Sequence, residues 1–157
     1  MSVPCGSICR MARKFQVTFD CADPDRLARF WADALHYRLE EPPDGFATWA
    51  AYWADRGLQE EIPDGYDSVV DPDGAGPGIW FQRVPEGKVV KNRVHLDIQV
   101  TEGRAVPVEV RRRQVDTEAE RLVGLGATLV RAVPGGGIPD YYAVTMLDPE
   151  GNEFCLS

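Results

Sequence analysis

The stretch FQVTFDCADPDRLARFWADALHY, residues 15–37, changes its period partway along. Up to Cys21 it alternates, with Phe15, Val17, Phe19 and Cys21 on one side and Gln16, Thr18 and Asp20 on the other. A period of two predicts a strand with one apolar and one polar face. Beyond Asp23 the apolar residues Leu27, Phe30, Trp31 and Ala34 recur at helical spacing. Asp23 suits the N-cap, and Pro24 suits the first helical position. His36 falls where a left-handed residue closes a helix. A strand running directly into such a helix lets the helix fold back on the strand's apolar face. The polar face stays free.

The pattern restarts in the second half. RVHLDIQV (93–100) alternates, with Val94, Leu96, Ile98 and Val100 opposite His95, Asp97 and Gln99. A helix is expected from about Val108 to Leu125, with Val115, Ala119, Leu122 and Val123 as its apolar stripe and Gly126 as its stop. Arg111, Arg112 and Arg113 read as a solvated face of that helix. VDPDGAGPGIWFQ (70–82) and LDPEGNEFCLS (147–157) share an Asp-Pro-acid-Gly turn followed by a short aromatic-bearing run. His95 lies 79 residues beyond Gln16, and Asp148 lies 77 beyond Asp71. Near-equal spacing of different elements in one order points to an internal duplication.

Shorter segments fill the pattern. RLEEPP (38–43) is a strand with a proline stop. FATWAAYWADRG (46–57) places Phe46, Trp49, Ala50 and Trp53 on one helical stripe with Gly57 as the stop, serving as packing or as a lid. YDSVV and ATLVRAV read as strands, GGGIPD as a flexible loop, and YYAVTML with EFCLS as a closing hairpin. In the connector VPEGKVVKN and the Arg93 after it, Lys88, Lys91, Asn92 and Arg93 are expected to bond backbone groups and fix strand entry.

The 157 residues suit one domain. Residues 1–12 are expected to be a flexible extension and residues 13–157 the domain, with module one at 13–86 and module two at 92–157. Hydrophobic content of 44% and charged content of 27% are those of an ordinary globular chain. A net charge of −8 without a basic stripe argues against a nucleic-acid partner. No apolar run approaches the roughly 20 residues of a membrane span. With no secretory signal, a cytoplasmic location is expected. Cys5 and Cys9 form a CxxxC without a second pair, which is too little for a zinc site, and no disulfide framework is expected.

FQVTFDCADPDRLARFWADALHY resembles the opening module of the vicinal oxygen chelate superfamily of glyoxalases, bleomycin-resistance proteins and extradiol dioxygenases. KNRVHLDIQV and LDPEGNEFCLS resemble its second module. IWFQRVPEGKVVKNRVHLDIQV is similar to the glyoxalase-like subgroup. The resemblance implies an α+β fold of two βαβββ modules forming a half-open barrel with helices outside, often paired as a homodimer. Metal-dependent members bind a divalent ion through the first and last strand of each module. Carried over, those positions fall on Gln16, Gln82, His95 and Cys155, a set with no carboxylate.

The favoured expectation is therefore a metal-free cavity between the modules that binds a small organic molecule. Gln16, Thr18, Gln82, His95, Trp53 and Cys155 would line it, with Trp49, Tyr52 and Trp80 adding stacking surface. The alternative is a metal-dependent lyase, isomerase or dioxygenase. His95 with Asp97 or Asp20 is a candidate acid–base group, although His95 and Asp97 stand about 7 Å apart along a strand. Cys155 reads either as half of a thiolate pair with His95 or as a small core cysteine.

Overall fold

The computed structural model describes residues 13–58, 65–134 and 140–157. The expected extension 1–12 with Cys5 and Cys9, and residues 135–139 of the expected GGGIPD loop, lie outside the described residues. Strand β1 (Gln16–Cys21) leads into helix α1 (Pro24–Leu35). The Asp23 side chain accepts from the Arg26 N–H, and His36 closes the helix in the left-handed region at φ 55°. Leu27, Phe30, Trp31 and Ala34 are all buried, so the helical stripe is the core face. Strand β2 (Arg38–Leu39), helix α2 (Trp49–Asp55), β3 (Ser68–Val70) and β4 (Gly78–Arg83) follow. The second half repeats the order with β5 (Leu96–Ile98), α3 (Val108–Gly124), β6 (Thr128–Pro134), β7 (Tyr142–Leu147) and β8 (Glu153–Leu156).

The described strands form two four-stranded sheets, ordered β1-β4-β3-β2 and β5-β8-β7-β6. In each, the module's first strand lies parallel to its last, and the remaining neighbours are antiparallel. Identical strand order in the two sheets is the duplication in structural form. The sheets are not joined into a closed barrel.

One core serves both modules. The Trp31 ring on α1 lies 5.3 Å from Phe19 on β1 and 5.2 Å from Phe154 on β8. Val115, Ala119 and Leu122 of α3 and Val144, Met146 and Leu156 of the second sheet belong to the same buried cluster. Each sheet thus turns its apolar face to a shared interior, where burial contributes about 25 cal/mol per Å² of apolar surface. Each polar face lies on the far side of its sheet from that interior. Burial chooses the face, because a strand that buries one side must present the other.

Some expected positions differ. Phe15 is 69% and Val94 75% exposed, because the ladders begin only at Gln16 and Leu96. Val123 faces solvent rather than the core. Arg111 is buried instead of solvated: its guanidinium donates to the Val106 carbonyl at 3.2 Å and to the Asp140 carbonyl at 2.7 Å. Phe46 precedes α2, whose N-cap is Thr48, and no α2 residue is fully buried. The aromatic residues there pack on one another, with Trp49 and Trp53 stacked at 6.2 Å and Phe46 edge-on to Tyr52 at 5.2 Å.

Candidate functional site

Two polar sheet faces carry the chemistry-bearing residues. On the first sheet, parallel pairing sets Thr18 beside Trp80 and Asp20 beside Gln82, so Gln16, Thr18, Asp20, Trp80 and Gln82 share one face. Gln16, Thr18 and Asp20 are exposed, and Trp80 and Gln82 are half-buried. The Trp80 indole N–H donates to the Asp67 carboxylate at 3.1 Å, which fixes the ring.

On the second sheet, β5 pairs with β8 so that Asp97 stands beside Cys155. The ladder covers only Leu96–Ile98, so the expected strand 93–100 is shorter, and His95 and Gln99 lie just beyond its two ends. Both are exposed. His95 does not meet Asp97 or Asp20 by any hydrogen bond among the described residues. Its Nε2 lies 2.8 Å from Lys91 Nζ and 3.3 Å from the Asn92 carbonyl oxygen. An ammonium has no acceptor capacity, so the shorter contact has Lys91 donating to a bare Nε2 with the imidazole proton on Nδ1. In that tautomer the longer approach to the Asn92 carbonyl has no donor and is no hydrogen bond.

Cys155 is half-buried, with Thr145 Oγ1 3.8 Å from its sulfur. Burial pushes its thiol above the ordinary value; Thr145 pulls it down, Asp97 pushes it up, and the Lys91 charge pulls it down again. Burial disfavours the thiolate, and among the described residues the Cys155 sulfur bonds Thr145 and not His95. Cys21, on the core side of β1, is pushed up to about 12 by burial and then by the nearby Glu150 charge. It is inert packing.

Register also settles which residues correspond. With Gln16 matched to His95, Thr18 matches Asp97, so Thr18's neighbour Trp80 is the counterpart of Asp97's neighbour Cys155. Gln82 lies two residues further along β4. The four equivalent positions therefore hold Gln16, Trp80, His95 and Cys155. Parallel register is a tertiary fact, and no spacing within the chain reveals it.

The connector is fastened to β8. Lys88 Nζ donates to the Val90 carbonyl at 2.8 Å and forms an ion pair with Glu153 at 3.1 Å. The Asn92 N–H donates to Glu153 at 2.9 Å, and the Asn92 side-chain amide donates to Asn152 at 3.3 Å. The Asn92 N–H, with Lys88 assisting, holds the Glu153 carboxyl down at about 2. Of the four connector residues expected to bond backbone groups, only Lys88 does so through its side chain among the described residues; Lys91 meets the His95 ring and the Asn92 amide meets Asn152.

Two depressions open beside Gln99, one within the second module and one between it and the end of α1. One of about 470 Å³ is lined by Gln99, Arg111, Tyr141 and Ser157, and one of about 750 Å³ by His36, Gln99, Arg113 and Thr117. Neither is lined by Gln16, Gln82, His95 or Cys155. Trp53 makes its ring contacts with Trp49 and Tyr52 of α2.

Paired βαβββ modules with polar outer faces are the architecture of the vicinal oxygen chelate superfamily. Within it, the chain belongs to the glyoxalase-like domain family, whose model matches residues 16–157. Solved structures share the fold. A glyoxalase/bleomycin resistance protein/dioxygenase family enzyme from Burkholderia phytofirmans is 16% identical with a TM-score of 0.56, over 90% of this chain and 94% of its own. The fosfomycin resistance protein FosX from Mesorhizobium loti is 14% identical with a TM-score of 0.54, over 94% and 92%. FosX from Listeria monocytogenes, solved with Mn(II) and sulfate, is 13% identical with a TM-score of 0.54, over 94% and 90%. No curated protein matches the chain.

Proposed function

We propose that this protein binds a small organic molecule at its polar sheet faces without a resident divalent metal. The donor set at the four equivalent positions carries this reading. Gln16 is a weak neutral ligand, Trp80 offers no lone pair, and Cys155 is a soft donor poorly matched to a hard dication. The Nε2 lone pair of His95 is taken by Lys91. No carboxylate stands among the four to neutralise a dication. The residues do not fit a metal of the kind the Listeria protein holds.

The binding site is assembled by a homodimer. Each polar face lies across its sheet from the core, and Gln16, Thr18, Asp20, His95, Asp97 and Gln99 are all exposed. In a symmetric pair, the first-module face of one copy meets the second-module face of the other and encloses a cavity. Gln16, Thr18 and Gln82 then supply amide and hydroxyl contacts, His95 supplies an Nδ1–H donor, and Trp80 a flat apolar wall. Such a cavity suits a small polar molecule with a planar or apolar part, in a cytoplasmic protein.

Elemental analysis of protein purified without chelator is expected to show no stoichiometric divalent metal. Light scattering is expected to give twice the chain mass, and a thermal-shift screen of small aromatic and polar compounds to give saturable stabilisation. Stoichiometric metal that disappears in His95→Ala would overturn the metal-free reading and favour a metal-dependent lyase, isomerase or dioxygenase. A monomer would overturn the assembled cavity.

A further inference from the structure

The second-module face holds a cation where its relatives' chemistry would call for one. Lys91 Nζ sits 2.8 Å from His95 Nε2, on the lone pair through which an imidazole would otherwise bind a metal.

Lys91 is not placed there by chance of a loose loop. Lys88, three residues before it, and Asn92, directly after it, both bind Glu153 on β8, at 3.1 and 2.9 Å. Their bonds fix the connector on either side of position 91. They also occupy the Glu153 carboxylate, and among the described residues Lys91 forms no ion pair of its own. An ammonium has three donors. One is given to His95, and on an exposed side chain the other two have no carboxylate within ion-pair distance among the described residues.

We propose that Lys91 stands in for the divalent metal as the fixed positive charge of this site, and that it binds an oxyanion group of the ligand, a carboxylate or a phosphate-type group. His95 then acts as a positioning residue: its bare Nε2 aims the ammonium, and its Nδ1–H remains free to donate. This assignment rests on the metal-free reading above and adds the chemical class of the ligand. A charge-assisted N–H···O contact contributes more than a neutral one. A lysine already seated on its partner also loses less side-chain freedom when the anion arrives.

The test uses inorganic phosphate and benzoate as probes, titrated into the intact protein and followed by NMR at the His95 imidazole nitrogens and by calorimetry. Wild type is expected to show the Nδ1–H tautomer and saturable binding of one or both anions. Lys91→Met, which keeps most of the stem and removes the charge, should lose about tenfold in affinity or more. Its imidazole should also no longer be locked with Nε2 bare. Lys91→Arg should retain most of the binding.

Undiminished anion affinity in Lys91→Met, or no binding of either anion by wild type, overturns the assignment. Metal content measured on the same wild-type sample separates the two failures. A metal-free protein with Lys91-independent binding sinks only the role of Lys91, whereas stoichiometric metal sinks the reading beneath it.

Discussion

The two Asp-Pro-acid-Gly turns have nearly the same sequence and different jobs. In both, the fourth residue is a glycine in the left-handed region, Gly74 at φ 67° and Gly151 at φ 87°, and the aspartate caps the turn through its carboxylate. Asp71 accepts from the Asp73, Ala75 and Gly76 N–H groups, all within its own turn. Its effect outside the turn is on Tyr37, in the same module, whose hydroxyl is pushed up by burial and then by Asp71. Asp148 is buried, and besides the Glu150 and Asn152 N–H groups it accepts from the Trp31 indole in the other module at 3.2 Å. The neighbouring Glu150 reaches further, accepting from the Ala22 and Asp23 N–H groups at 2.7 Å each, at the start of α1. The first turn closes a module. The second joins two.

Removing the aspartate at each place separates those jobs most sharply. Asp148→Ala strands the buried Trp31 N–H and the Asn152 amide as well as the turn, and should cost about 3 kcal/mol. For a chain of this length that lowers the melting temperature by roughly 10 °C. A loss no larger than that of the equivalent change at Asp71 would mean the link to Trp31 adds nothing. Glu150→Ala is the next step down. It frees two N–H groups at the entry of α1 and should cost about 1–2 kcal/mol. Its fingerprint is local: hydrogen exchange should quicken at Ala22 and Asp23 and stay unchanged in β7. Uniform quickening across both modules would place the effect elsewhere.

Much of this architecture was legible because local chemistry decides it. Asp23, Pro24 and His36 mark the ends of α1, and its stripe of Leu27, Phe30, Trp31 and Ala34 is the core face that periodicity predicts. Residues that failed to follow the pattern depend on partners far along the chain. Arg111 is buried because the Asp140 carbonyl, 29 residues on, receives its guanidinium. Val94 is exposed because the β5 ladder stops where β8 gives it no partner.

The candidate site was half legible for the same reason. The polar triplets Gln16-Thr18-Asp20 and His95-Asp97-Gln99 follow from alternation alone. That Trp80 rather than Gln82 answers Cys155 follows from parallel register, which exists only once the sheets form. The Lys91–His95 contact lies at a spacing of four in a segment that is not helical, so no pattern announces it.

The smallest expected effect lies at the first turn, and it depends on pH. The Gly76 N–H, then those of Asp73 and Ala75, hold the Asp71 carboxyl below its ordinary value of 3.8. A carboxyl depressed in the folded state stabilises it fully above the unfolded value, and the contribution fades as pH falls through the folded one. Asp71→Asn keeps an acceptor for the turn but removes the charge. It should therefore lower the melting temperature at pH 7 by less than Glu150→Ala does, and the gap from wild type should narrow as the pH is taken below the ordinary carboxylate value. A gap that stays constant across that range would show that shape alone holds the first turn.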